Sequence, residues 1–289
     1  MADIHALVTG RSFLEGPRWH DGALYVSDMH GDAVLRVSEG GEVFTLVELE
    51  QPSGLGWLPD GSILISSMAR RSVMRFDGSD LAVHADLSPF ASHEINDMCV
   101  DRHGHAFVGQ FGYDYAGGDK PVAAALLRVD LDGSACEVAD NLLFANGMVI
   151  TADGSTLLVA ESFGRCITGF DLASDGSLDN RRVWAKLEDF PDGIAIDEDD
   201  GVWVASPAFD RFVRVIAGGA VTATIDTPGR HAIACEVGGA DGRTLFMLTA
   251  TTLGQRVESQ TAMSAAIDTT RLKRPPPLFG AVSSPGGRD

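Results

Sequence analysis

Six polar residues hold comparable places along this chain: Glu15, Ser53, Asn96, Asn146, Asp192 and His231. Each opens a run of apolar residues, and four of them are followed directly by glycine, at Gly16, Gly54, Gly147 and Gly193. An inert scaffold would gain more from Val or Ala there, because a polar group taken out of water costs free energy unless it is paired. If the fold brings the six together, two carboxylates (Glu15, Asp192) and two amides (Asn96, Asn146) form a hard-oxygen site. Such a site suits one divalent cation, Ca²⁺ first, with Mg²⁺, Mn²⁺ and Zn²⁺ as alternatives. Without the cation, two carboxylates facing each other in a low-dielectric channel would repel, and one would hold its proton to higher pH.

What could bring them together is a repeat. Each of the six leads the same pattern: an apolar alternating run, a turn usually ending in glycine, and a second apolar run, as in EGPRWHDGALYVSD from Glu15 and SGLGWLPDGSILISS from Ser53. The intervals between leading residues are 38, 43, 50, 46 and 39, close to the roughly 40 to 50 residues of a four-stranded propeller blade. Asp21-Gly22, Asp60-Gly61, Asp153-Gly154, Asp200-Gly201 and Asp241-Gly242 supply hairpin turns, since glycine tolerates positive φ and Asp adds local hydrogen bonds. Further β-rich runs lie between the hairpins, at 33–37, 72–76, 124–129, 167–171 and 212–215. The expected fold is therefore all-β: a six-bladed propeller of four-stranded antiparallel blades, with the six leading residues at one mouth of its channel and a metal site at the centre. A closed ring leaves no sheet edge exposed, so the runs 4–8 and 265–270 are expected to share one blade. Residues 1–274 read as one domain and residues 275–289 as a Pro- and Gly-rich tail.

Composition excludes several partners. With 22 Lys and Arg against 41 Asp and Glu, a net charge of −19 repels phosphate backbones and anionic lipid. The dense basic cluster Arg271, Lys273 and Arg274 runs into three prolines and reads as a solvated tail. No window approaches the ~18 apolar residues of a spanning helix, and Cys99, Cys136, Cys166 and Cys235 form no C-x-x-C pair. The expectation is a cytoplasmic protein with a small-molecule substrate, without nucleic-acid or membrane partners, as a monomer or homodimer. Nucleophile-elbow, H-E-x-x-H and Walker-type motifs are absent. His103-Gly104-His105 occupies a turn at the opposite end from the polar ring, and Glu198 to Asp200 reads as a solvated turn.

The residues resemble the regucalcin and gluconolactonase group of six-bladed propellers, with diisopropyl fluorophosphatase as a more distant relative. EGP at Glu15, Trp19 and LYVSD to Asp28 look like that group's first hairpin; IND at Ile95 to Asp97, NG at Asn146 and PDG at Pro191 to Gly193 look like its other signatures. Over residues 10 to 270, the resemblance implies a cation held by Glu15, Asn146 and Asp192, with Asn96 as a further ligand or a substrate contact. It also implies lactone hydrolysis, in which the metal polarises the carbonyl and brings water to it while Asp192 serves as general base. One departure stands out: Glu94 lies where sugar-lactone members commonly carry Arg, and an acceptor-only carboxylate disfavours an anionic ligand.

The ends of the second hairpin strands should surround the mouth, which places Met68, Phe111, Tyr113, Phe163 and Phe209 at its rim. The expected substrate contacts are Glu94, Asn96, Tyr113, Phe163 and His231, and an apolar rim favours a neutral, partly hydrophobic lactone. Residues 114–120 read as a connector or a lid. Two other readings stay open on the residues: carbonyl activation for a lyase, isomerase or hydratase, and a calcium-binding or ligand-sensing propeller without catalysis.

Overall fold

The computed structural model describes residues 3–253 and 255–272, so the tail at 275–289 lies outside the described residues. Within them, six four-stranded antiparallel sheets form a propeller. Blade one comprises Leu14–His20, Ala23–Asp28, Ala33–Ser38 and Val43–Glu48; blade two, Pro52–Trp57, Ile63–Ser67, Ser72–Phe76 and Leu81–Asp86. Blade three comprises Ile95–Val100, Ala106–Gln110, Ala124–Val129 and Ala135–Leu142; blade four, Ala145–Ile150, Thr156–Glu161, Cys166–Leu172 and Leu178–Lys186. Blade five comprises Ile194–Ile196, Val202–Ser206, Arg211–Val215 and Val221–Asp226. Blade six takes His231–Gly238, Thr244–Ala250 and Ala265–Arg271 from the end of the chain and His5–Arg11 from its start. His5 pairs with Thr269, Val8 with Ile267 and Arg11 with Ala265, so the ring is closed by a strand from each end, as the edge argument requires.

Each blade's first strand touches the first strands of both neighbouring blades, which makes these six strands the wall of the channel. The glycine after a leading residue permits that approach: a Cβ on Gly54 would sit 2.1 Å from the Met98 nitrogen, and one on Gly147 would sit 2.5 Å from the Ile194 nitrogen. Side chains at these two positions would push adjacent blades apart. Farther out, each gap between blades has its own apolar cluster. Leu55, Ile65 and Met74 pack under blade one's Val34, while Phe107 and Leu126 pack against Met148 and Leu157 between blades three and four.

The turns follow the sequence logic. Asp21 and Gly22 both adopt positive φ, at 45° and 72°, the pairing of a tight hairpin turn whose twist matches its strands. At Asp60 and Asp153 the carboxylate accepts the backbone N–H two residues on, at 2.9 Å in each case. Two features depart from expectation. Blade five's first strand is only three residues long, and Asp192 lies just before it, with its N–H donated to Ala205 O at 3.1 Å. A seven-residue helix, Arg256–Ala262, interrupts blade six; with Ser259 its one buried residue, it has no apolar stripe for a helical period to reveal.

Candidate active site

Propeller geometry delivers side chains to the channel mouth in two rings. The inner ring comes from four of the six leading residues and from residues two places earlier, in the short connections that enter each blade's first strand. Glu15, Asn96, Asn146 and Asp192 line one cavity of about 400 Å³, together with Phe13, Gln51, Glu94, Phe144 and Phe190. The outer ring comes from the ends of the second strands: Met29, His30, Met68, Phe111, Ser162, Phe163, Pro207 and Ala208. Tyr115 and Ala116, from the 114–120 segment, complete the rim on the side of blade three, with Tyr115 edge-on to Phe111 at 5.7 Å. Phe111 and Phe144 stack at 4.3 Å, and Phe163 meets Phe144 edge-on at 5.3 Å. Among the described residues, the cavity lining contains no Lys or Arg.

At the base, hydrogen bonds fix both amides. Asn96 Nδ2 donates to Ala145 O at 3.2 Å. Asn146 Nδ2 donates to Asp192 Oδ1 at 2.6 Å and to Ser162 Oγ at 3.2 Å, while Ser162 Oγ donates to Pro191 O at 2.7 Å. Each amide nitrogen is thereby engaged, and the oxygen of each is left as the acceptor without a donor among the described residues. Burial raises the Glu15 pKa well above the ordinary carboxylate range, and the charges of Asp192 and Asp97 push it further. Burial likewise raises Asp192 to about 7, against the Asn146 hydrogen bond and with the charges of Asp97 and Asp189. Asp97 is raised by burial too, although Arg18 offsets part of it, with a guanidinium nitrogen 3.4 Å from Asp97 Oδ1. Crowded carboxylates beside two free amide oxygens are a donor set that a hard cation would satisfy. Among the described residues no grouping of three or more His, Cys, Asp and Glu is arranged for a metal, so such a cation would depend on the two amides as much as on Glu15 and Asp192.

The profile of the SMP-30/Gluconolactonase/LRE-like region matches residues 13–251. The chain belongs to that family. Regucalcin of Danio rerio is 27% identical over 247 residues, covering 82% of each chain. L-arabinolactonase of Azospirillum brasilense is 28% identical over 225 residues, covering 74% of this chain and 73% of that one. Among solved structures, the regucalcin of Agrobacterium tumefaciens strain C58, described as a calcium-binding protein, superposes with a TM-score of 0.77 at 17% identity, covering 93% of each chain.

Of the residues singled out from sequence, Glu15, Glu94, Asn96, Asn146, Phe163 and Asp192 meet at this cavity, as do Met68 and Phe111. Four others lie elsewhere. Ser53 is buried, and its carbonyl accepts a hydrogen bond from Ser27 Oγ at 2.6 Å. His231 turns aside, its Nδ1 facing Pro207 O at 2.9 Å and Asp210 Oδ1 at 3.0 Å. Tyr113 packs behind the rim against Phe144 and Phe163, and Phe209 lies under the Arg211 guanidinium, 4.7 Å from its ring centroid. In the His103-Gly104-His105 turn, the His105 ring bonds Asp101 Oδ2 at 2.8 Å. Sequence reasoning passed over Phe13, Gln51, Phe144 and Phe190, although all four stand two residues before a leading position, the spacing that singles out Glu94. His30 and Ser162 carry no such signal; each sits in or beside a turn after a second strand.

Proposed function

We propose that this chain is a divalent-cation-dependent lactonase acting on a neutral, partly hydrophobic lactone. The observation that carries the reading is the meeting of Glu15, Asn96, Asn146 and Asp192 at the base of one aromatic-walled cavity, with both amide nitrogens already donating hydrogen bonds within the protein. The L-arabinolactonase among its relatives supports the reaction class, and the regucalcin described as calcium-binding supports the cation. Glu15, Asn96, Asn146 and Asp192 would hold the cation, Ca²⁺ before Mg²⁺, Mn²⁺ or Zn²⁺. When bound, it supplies Lewis acidity toward a carbonyl oxygen and makes bound water more acidic.

The side chains account for the rest. Asp192, at the mouth of blade five, accepts a proton from the attacking water. The water oxygen bonds to the carbonyl carbon, the ring C–O bond breaks, and the departing alkoxide collects the proton from Asp192 to give the hydroxy acid. Phe111, Phe144, Phe163 and Phe190 take up the apolar body of the substrate and exclude water from it. Glu94, with no cationic side chain in the lining, repels anionic lactones. No helix among the described residues is long and apolar enough to cross a membrane, and four cysteines without disulfides support a reducing, cytoplasmic setting.

The test is hydrolysis of aliphatic, aryl and sugar lactones with and without chelator, by the native protein and by Glu15→Ala and Asp192→Ala. The expected result is chelator-sensitive turnover, highest on aryl and alkyl lactones and abolished in both variants. Full turnover in chelator, or a marked preference for gluconolactone, would overturn the cation or the substrate class respectively.

A further inference from the structure

His30 occupies the turn between the second and third strands of blade one and is only 2% exposed, yet it borders the cavity. Its Nδ1 has no hydrogen-bond partner among the described residues. Buried polar groups in folded proteins are nearly always paired, so an unpaired one beside a binding cavity calls for an explanation. The turn is not free to swing the ring out to solvent. Gln260 Nε2 donates to His30 O at 2.8 Å, Arg256 is paired with Asp32 in the same turn, and the Gln51 N–H donates to Asp32 Oδ1 at 3.0 Å. The ring itself rests on Phe13, with centroids 5.2 Å apart. Burial lowers its pKa to about 4, and the Arg256 charge adds to this, so the imidazole is neutral at ordinary pH.

Its neighbours give this nitrogen its meaning. Glu15 pairs with Ser27 in the strand that leads into the turn, so His30 stands one strand farther from the axis than Glu15. Phe13, Met29 and Met68 line the cavity with it, as does Gln51, whose N–H bonds Asp32 in the same turn. We propose that His30 is a substrate-binding residue whose imidazole hydrogen-bonds a neutral hydroxyl on the apolar body of the lactone, away from the ester carbonyl. A hydroxyl both donates and accepts, so it serves either tautomer of the ring. A site built to bond such a group rejects the analogue lacking it, because its own polar atom is then left unpaired.

This inference rests on the lactonase reading. Its test compares kcat/KM for γ-phenyl-γ-butyrolactone with that for its ortho-, meta- and para-hydroxyphenyl analogues, in the native protein, His30→Phe and His30→Gln, with thermal melts confirming that each variant folds. The native protein is expected to prefer at least one hydroxylated isomer by about tenfold or more. That ratio should fall toward one in His30→Phe, which keeps an aromatic ring beside Phe13, and recover in part in His30→Gln, which restores a hydrogen-bonding group. A native ratio near one for all three isomers, or a preference that survives in His30→Phe, would overturn the role of His30 and leave the lactonase reading standing. Failure of the native protein to open any lactone in the set would overturn the lactonase reading, and this inference with it.

Discussion

Replacing Ser162 by alanine tests how the cation donors are held. The hydroxyl is buried, donates to Pro191 O at 2.7 Å and accepts from Asn146 Nδ2 at 3.2 Å. Its removal leaves the Pro191 carbonyl without that donor and frees one of the two hydrogens of the Asn146 amide; the other still reaches Asp192 Oδ1. An unsatisfied buried group costs about 1–3 kcal/mol, and the retained Asp192 bond keeps the total near about 2 kcal/mol. For a domain of this size that lowers the melting temperature by about 4–8 °C. The functional effect is separate. With one anchor gone, the amide can rotate and withdraw its oxygen, and loss of a supporting hydrogen bond of this kind weakens metal binding by about 10- to 100-fold. Calorimetric titration of Ca²⁺ into chelator-stripped protein, beside thermal melts of the same samples, separates the two effects. A lower melting temperature with unchanged Ca²⁺ affinity would refute the positioning argument, leaving Ser162 a packing residue.

Three further outcomes are expected. Deleting residues 1–11 removes the fourth strand of blade six and uncovers the edge of Ala265–Arg271, so the melting temperature should fall by at least about 10 °C, and an unchanged melt would contradict the closure. Glu236, partly buried at the far mouth of the channel, has its pKa raised by burial from 4.5 to about 7. The folded protein therefore keeps a proton that the unfolded chain loses above pH 4.5, and native stability falls between there and pH 7 by about 3 kcal/mol. Glu236→Gln should then melt higher than the native protein at pH 8 but not at pH 4, and parallel pH profiles would refute the cause. Glu94→Arg places a guanidinium in a cavity lined without one, so kcat/KM for an anionic sugar lactone should rise about tenfold or more relative to a neutral lactone; steady-state kinetics on the pair checks it.

Why some features could be read from the chain and others could not follows from what fixes each residue's direction. The blades were legible because alternation, Asp-Gly turns and a recurring leading residue all point to one hairpin. Strand direction then carries Glu15, Asn96 and Asn146 to the channel mouth, and Asp192 reaches it just before its own strand begins. It fails where a local partner outbids the channel: His231 begins its strand beside the Pro207 carbonyl and Asp210 and turns to them. Tyr113 and Tyr115 exchange the expected role because both sit in a loop after Ala106–Gln110, where strand alternation no longer sets orientation. His30 and Ser162 were invisible for a related reason: their significance lies in a missing partner and in a relay to Pro191, which depend on contacts between distant segments. The helix at Arg256–Ala262 escaped notice because it buries almost nothing, and it matters by bracing the His30 turn through Gln260 and Arg256.

A crystal structure of the native protein soaked with Ca²⁺, with anomalous difference density measured at the channel mouth, bears most directly on the shared cation. A single peak about 2.3–2.6 Å from oxygens of Glu15, Asn96, Asn146 and Asp192 is the predicted result. No peak there at saturating Ca²⁺, or a peak bound by other residues, would contradict it.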